Sequence, residues 1–477
     1  MKVIGRNAQL VAIKEILDHS KSSMVAVTGR RRVGKTFLID QSLKSHMSFR
    51  MTGIQNGSMN EQLVNFNEKL KEYSGAPFLS TPSNWLEAFS TLKRFLDSLP
   101  ASDKKVLFFD EVPWIHTARS GFLEKLAHLW NDHLSKEENY IVVLCGSATS
   151  WINKNVIMAK GGLHNRITQV LKVEPFTLSE SGLFLKSRGI RLSDQDLSKI
   201  YMAMGGVPYY LEHIKKGESA AVAIERLCFE SHGLLRSEYN YLYKALFSNA
   251  QDHESIVGVL AQSQGGISRE EIIKRSGVQS GGPYNRAMDD LIISGFVSEE
   301  NLYGRKKRGS LYRLTDEYSI FYHRFIKNNK KYIKGMWQQM ASSQSYKIWT
   351  GYAFESICFK HIDALKSAMG IGAVYTEISS MRVIGNKNIK GFQVDLIIDR
   401  KDDTINLCEV KYYSGPYTIT KAYAKQLVER RQQFIEHTGT RKQVFITFIT
   451  NYGLNENEYS REVVDLHVEL SEILEQI

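Results

Sequence analysis

The stretch 23–36, SMVAVTGRRRVGKT, decides the fold of the N-terminal half. Ser23 to Thr28 is a short apolar run that reads as a buried strand, and a helix opens at about Lys35. Between them Gly29-Arg30-Arg31-Arg32-Val33-Gly34-Lys35-Thr36 fits GxxxxGK[ST]. That strand–loop–helix setting separates a phosphate-binding loop from a chance match. Backbone N–H groups from Gly29, Val33, Gly34, Lys35, Thr36 and Phe37 are expected to close around phosphate, helped by the positive end of the helix. Lys35 is expected to reach the β and γ phosphates of ATP, and the Thr36 hydroxyl to bind Mg²⁺. Arg30 to Arg32 read as a solvated basic loop without a catalytic role.

Working outward, Lys105 to Asp110 (KVLFFD) and Tyr140 to Cys145 (YIVVLC) are continuous apolar runs, and helical periodicity lies between them at Gly121 to Leu134. Strands buried on both faces have this composition, so residues 1–175 are expected to form a doubly wound parallel sheet. Asp110 and Glu111 end one such strand at the sheet edge where the phosphate loop lies. Asp110 suits the metal's water shell and Glu111 the polarisation of attacking water; a strand-end acid also caps turns. Ser147, after the next strand, suits contact with the γ-phosphate and equally an ordinary helix cap. Arg166 suits a neighbouring subunit's γ-phosphate and equally a surface salt bridge.

These motifs resemble the archaeal and bacterial AAA-type ATPases of the STAND-related group. The resemblance covers residues 1–245 and rests on Gly5-Arg6, the GRRRVGKT loop, Phe109-Asp110-Glu111 and Gly205-Gly206-Val207-Pro208. It implies that Ile4, Gly5, Arg6 and Pro208 lie against the adenine. Read alone, Pro208 is also a plausible turn proline between helices.

Beyond the core the pattern turns helical over 176–247, expected as a lid. Residues 248–320 offer three short helical segments, Glu254 to Gln262, Ser268 to Ser276 and Pro283 to Ser294, then short strands at Phe296 to Ser298 and Leu311 to Leu314. Three helices and a β-wing read as a winged helix. Its basic loop, Gly304 to Gly309, suits phosphates, and Tyr284, Asn285 and Arg286 head the expected recognition helix, although Asp289 and Asp290 would repel a DNA backbone. Use as a protein contact is equally compatible. Residues 321–349 carry basic side chains interleaved with aromatics and no acids, and read as a helical connector.

A second chemical centre lies in 350–477, expected as an α/β domain with strands near Val374, at Gln393 to Asp399, Ile405 to Tyr412 and Gln443 to Ile449. If the turn centres near Lys401 or Asp402, Asp395 lies opposite Glu409 to within a residue, and Glu409 and Lys411 share a strand face. Carboxylates that close call for a cation, and oxygen ligands favour Mg²⁺ or Mn²⁺. Such a metal would activate water at a phosphodiester, with Lys411 beside the nucleophile. A surface hairpin with a salt-bridge cluster has the same residues. Asp395 followed by Glu409-Val410-Lys411 resembles the restriction-endonuclease-like PD-(D/E)xK fold over residues 350–450, with Val394 standing where the motif has proline. The resemblance implies a supporting metal acid at Glu355 and offers Gln426 on the following helix.

The composition fits this reading. With 477 residues, 43% hydrophobic and 24% charged, the chain has material for several cores, and only 8 prolines exclude long Pro-rich linkers. The net charge of +11 favours a polyanionic partner, DNA first, with a homo-oligomer compatible and no membrane expected. Cys145, Cys228, Cys358 and Cys408 form no CxxC pair and read as reduced core residues of a cytoplasmic protein. Two functions compete: an ATPase coupled to a metal-dependent nuclease, and a signalling ATPase whose nuclease-like domain only binds nucleic acid or protein. A DNA-binding regulator is a third.

Overall fold

A computed structural model describes residues 2–475 except 101–102, 160–161, 248, 264, 305–309, 330, 384 and 386–390. The chain divides into two compact units, 1–175 with 246–248, and 176–245 with 249–477.

In the first unit, strands β1 (Ser23–Thr28), β2 (Met47–Thr52), β3 (Lys105–Asp110), β4 (Tyr140–Cys145) and β5 (Gln169–Lys172) form a parallel sheet in the order β2-β3-β4-β1-β5. Every residue of β1, β3 and β4 is buried, which is why they read as unbroken apolar runs. Helices α1 (Asn7–Asp18) and α2 (Lys35–Leu43) cover one face through Ile13, Ile16, Leu38 and Ile39. Helices at Met59–Ser74, Trp85–Asp97 and Phe122–Asp132 cover the other with an aromatic core of Phe49, Phe66, Trp85, Phe89, Phe109 and Phe122. Strand β2 escapes the sequence reading because it is an edge strand in which only Phe49 and Met51 are fully buried.

In the second unit, helices at Leu178–Ser187 and Asp194–Met204 lead to the Gly205-Gly206 element. Helices at Ala250–Ala261, Arg269–Ser276 and Gly282–Ile293 precede the antiparallel pair β6 (Val297–Glu300) and β7 (Leu311–Leu314), with Ile267 bridging Tyr312. The basic loop expected at the wing tip, 305–309, lies outside the described residues.

The expected connector 321–349 is not one helix. A π-helical turn at Tyr322–Ile326 and a short helix at Met336–Ala341 precede the helix Gln344–Lys360, which starts at its Ser343 cap and runs through the expected boundary at 350. Its aromatics are not free for base stacking. Phe321, Phe325, Trp337, Tyr346 and Trp349 pack on one another and on Phe229, with ring centroids 5.1–6.4 Å apart.

The last sheet comprises β8 (Thr376–Val383), β9 (Phe392–Arg400), β10 (Thr404–Lys411), β11 (Gln443–Thr450) and β12 (Leu466–Glu469), ordered β12-β11-β10-β9-β8. Strands β8, β9 and β10 are antiparallel neighbours, and β10, β11 and β12 run parallel. The helix Lys421–Thr438 crosses from β10 to β11, as a parallel connection requires. Among the described residues, no helix is long and apolar enough to cross a membrane.

Candidate functional site

Three loops meet at the C-terminal edge of the first sheet. The phosphate loop follows β1, Asp110-Glu111 ends β3, and Ser147 follows β4. Gly29 has φ of 144°, and a Cβ there would stand 2.0 Å from the Val173 carbonyl oxygen, so only glycine lets the loop pass β5. Lys35 is 5% exposed; its Nζ donates to the Gly29 and Arg30 carbonyls at 2.8 and 3.0 Å and to Ser147 Oγ at 3.3 Å. The ammonium thus keeps the loop wrapped around its own charge.

Thr36 Oγ1 donates to Asp110 Oδ2 at 2.8 Å. A hydroxyl and a carboxylate at this separation, next to a triphosphate loop, are the hard oxygen donors that Mg²⁺ takes, so these residues fit the ion. Glu111 adopts φ of 51°, a left-handed backbone that turns its carboxylate across to β4. Both oxygens are engaged there: one accepts from the Ser147 hydroxyl and the other from Ser147 N–H at 3.0 Å. Ser147 is not a helix cap, because the next helix, Thr149–Ile152, is preceded by Ala148 and has no side-chain cap. Arg166 lies in an exposed turn before β5.

Arg6 is buried, in a left-handed conformation, and its guanidinium donates to the carbonyls of Val33 at 2.9 Å and Glu174 at 2.5 Å. It therefore ties the N-terminal segment to the phosphate loop. Ile4 and Gly5 lead into it as partly buried chain. In the second unit, Pro208 opens the helix Pro208–Leu211 at its first turn, where its missing N–H costs nothing. Gly206 accepts from Phe176 N–H at 2.7 Å, and a Cβ on it would stand 1.8 Å from the Phe176 carbonyl oxygen.

At the second centre the β9–β10 ladder pairs Ile405 with Asp399 and ends at Cys408 with Leu396, the residues next to Glu409 and Asp395. The turn falls at 401–403, with Asp403 left-handed. The carboxylates are nevertheless not gathered around a vacancy for a cation. Glu409, 4% exposed, binds the Arg430 guanidinium, accepts from the Tyr423 hydroxyl at 2.8 Å and pairs with Lys411 at 3.1 Å. Glu355 pairs with Arg313 of β7 at 3.2 Å, and Arg313 also pairs with Glu300 of β6 at 2.6 Å. Asp395 accepts from Gln393. Among the described residues, no group of three His, Cys, Asp or Glu side chains is placed to hold a metal ion. As arranged, Glu355, Asp395 and Glu409 do not fit the expected metal.

The electrostatics follow. Burial pushes Glu355 up to about 7; Arg313 works against this, while Asp395 and Glu300 add to it. Burial also raises Glu300, against Arg313. Burial opposes the charge on Lys411, but Tyr423, Tyr417 and Asp395 outweigh it and hold the ammonium above its ordinary range.

Sequence reasoning missed Arg313, Tyr423 and Arg430. Tyr423 and Arg430 are seven residues apart on the crossover helix, two turns along one face, a spacing that could have flagged them. Gln426 is exposed. On the expected recognition helix, Tyr284 is buried under the Arg269 guanidinium, Asn285 accepts from Arg269 at 2.6 Å, and Asp290 pairs with His253. Arg286 stays exposed.

Residues 4–214 match a family of ATPase domains found predominantly in Archaea. The uncharacterized protein MJECL04 of Methanocaldococcus jannaschii is 23% identical over 420 residues, 86% of this chain and 87% of that protein. A Walker-type ATPase of Pyrococcus abyssi superposes with a TM-score of 0.51 at 14% identity, covering 68% of this chain and 96% of that one. The likeness shows a shared fold. The ORC2 protein of Aeropyrum pernix, in its ADPNP–ADP complexes, gives a TM-score of 0.42 at 14% identity over 72% of this chain and 96% of that one. The N-terminal region is an ATP-binding P-loop ATPase domain.

Proposed function

We propose that the chain is an ATP-driven switch that governs a metal-dependent nuclease centre acting on DNA. In the ATPase half, Lys35 holds the β and γ phosphates, and Thr36 and Asp110 hold Mg²⁺, which supplies charge neutralisation at the phosphates when bound. Glu111 orients the attacking water while Ser147 holds its carboxylate in place, and Ser147 carries the state of the γ-phosphate to Glu111. Ile4, Gly5 and Arg6 flank the base, and Arg166 serves a neighbouring subunit. The net charge of +11 supports a polyanionic partner.

The observation that carries the nuclease half is the ladder register. It pairs Cys408 with Leu396, the residues next to Glu409 and Asp395, with Lys411 two residues beyond Glu409, in a sheet preceded by the helix holding Glu355 and crossed by the helix Lys421–Thr438. This arrangement supports the resemblance to the PD-(D/E)xK fold. The test is cleavage of linear and circular DNA and of RNA by the full chain with Mg²⁺ or Mn²⁺, with and without ATP. Cutting lost in Asp395→Ala and Lys411→Ala is expected; uncut substrates under every condition would remove the nuclease half.

A second reading keeps the ATPase switch and makes the C-terminal domain a binding module. The cationic partners already seated on Glu409 favour it. A cellular phenotype that survives Asp395→Ala and Lys411→Ala but disappears with Lys35→Ala would select it.

A further inference from the structure

The segment that carries Glu111 is gripped from a helix on the far side of β2. Ser58 and Glu61 close a capping box at the start of the helix Met59–Ser74, and Gln62 follows one turn beyond the cap. Gln62 is fully buried. Its Oε1 accepts from Ile54 N–H at 3.0 Å, and its Nε2 donates to the Ile54 carbonyl at 2.7 Å and to the Trp114 carbonyl at 3.1 Å. One amide thus satisfies both backbone groups of Ile54, just after β2, and a carbonyl of the segment just after β3.

Neighbouring contacts bear on the same place. Gly53 N–H donates to the Asp110 carbonyl at 2.9 Å, and a Cβ on Gly53 would stand 2.8 Å from the Glu111 carbonyl oxygen, so the two loops touch with no side chain between them. The turn 54–57 closes through Gly57 N–H, which donates to the Ile54 carbonyl at 3.1 Å, and a Cβ on Gly57 would stand 2.8 Å from Gln62 Nε2. Trp114 N–H donates back to the Glu111 carbonyl at 2.8 Å, so the carbonyl that Gln62 grips and the backbone of Glu111 belong to one helical turn. On its other side this turn meets the loop after β4, where a Cβ on Gly146 would stand 2.7 Å from Pro113 Cδ. Glu111 needs such support, because a left-handed glutamate is strained and persists only where its surroundings hold it.

We propose that Gln62 is a positioning residue for ATP hydrolysis, an amide strut that ties the segment bearing Glu111 to the loop after β2 and so keeps the Glu111 carboxylate in line for water. This rests on the reading of Glu111 as the group that orients water, and goes beyond it by naming what holds that group. An amide is the side chain that fits, since it offers one acceptor face and two donors to one N–H and two carbonyls. Leucine offers neither and leaves all three buried backbone groups unpaired. The turn after β3 then relaxes and Glu111 leaves its geometry, whereas Lys35 and Thr36 stand on α2 and keep theirs. Turnover therefore falls while nucleotide binding is spared.

The experiment measures phosphate release at saturating ATP, and ATP affinity by calorimetry, on the full chain, with thermal melting to establish folding. Gln62→Leu is expected to lower kcat about tenfold or more while ATP affinity stays within about threefold. Gly57→Ala presses on the amide without deleting it; it is expected to lower kcat about threefold or more, and it takes the place of Gln62→Leu if that variant does not fold. Asn67→Leu is the control. Asn67 lies on the same helix, 1% exposed, and donates to the Leu79 carbonyl at 3.1 Å in the loop after the helix, so its loss is expected to lower the melting temperature and leave kcat within about twofold. A kcat within about twofold of the unaltered chain in the folded Gln62 variant, an equal fall in Asn67→Leu, or a loss of affinity as large as the loss of rate would overturn the strut. Glu111→Gln runs alongside. If it stops hydrolysis while the folded Gln62 variant turns over at full rate, the reading of Glu111 stands and the strut alone falls. If Glu111→Gln hydrolyses ATP at the unaltered rate, the reading of Glu111 falls and takes the strut with it.

Discussion

Ser147→Ala separates nucleotide binding from turnover. The hydroxyl is the group through which Lys35 and Glu111 meet: it accepts from Lys35 at 3.3 Å and donates to Glu111. Alanine deletes both bonds but spares three others. Lys35 keeps the Gly29 and Arg30 carbonyls at 2.8 and 3.0 Å, and Glu111 keeps Ser147 N–H at 3.0 Å. The loop therefore holds its shape, and ATP affinity is expected to change less than about threefold, under about 1 kcal/mol. Turnover loses a hydrogen bond to a charged group, worth about 1.5–3 kcal/mol, so kcat is expected to fall about 10- to 100-fold. Calorimetry gives the affinity and phosphate release at saturating ATP gives the rate. A kcat within twofold of the unaltered protein, or a loss of affinity as large as that of Lys35→Ala, would refute this coupling.

Three further outcomes are expected. Lys35→Ala removes the cation that the loop encloses, so ATP affinity measured by calorimetry falls at least about tenfold and hydrolysis is lost. Gly206→Ala forces a Cβ into the Phe176 carbonyl and breaks the 2.7 Å bond from Phe176 N–H; the cost is about 2–4 kcal/mol, seen as a melting transition several degrees lower. His361 is buried and neutral: Nδ1 donates to the Ile357 carbonyl at 2.8 Å and Nε2 accepts from Leu178 N–H at 2.9 Å, so a second proton would face a donor. Burial lowers its pKa from 6.5 to about 4, so the unfolded chain takes up the proton first. Stability is then complete above pH 6.5 and falls by about 3 kcal/mol as pH drops towards 4. Denaturant melts across that range should show a shallower slope for His361→Gln, whose side-chain oxygen can still accept from Leu178.

The first sheet was legible because its central strands are buried on both faces and the phosphate loop fixes their direction. β1, β3 and β4 fall where the apolar runs end. β2 was not, since an edge strand carrying Arg50 has no such run. The β9–β10 register was legible from the turn at 401–403, because strand pairing is local there. The partners of the acids were not. Arg313 lies 42 residues from Glu355, and Arg430 lies 21 from Glu409; no periodicity links residues so far apart in sequence. The packing of 321–349 was hidden for a related reason. Basic residues mark its solvent side, and its aromatics bury against Phe229, a partner nearly a hundred residues upstream that the local pattern does not reveal.

That aromatic cluster bears on how the chain can be taken apart. A fragment starting at residue 350 would cut the helix Gln344–Lys360 within its first two turns and leave Trp349, Tyr346 and Trp337 behind. The fragment would lose the Ser343 cap and the opening turns of its helix, and the piece left behind would carry Tyr346 and Trp349 on a helical stub too short to hold itself. Dissection by limited proteolysis is therefore expected to spare 336–349 and to yield the whole second unit as one resistant body, with Trp337 and Trp349 as native fluorescent reporters of its integrity.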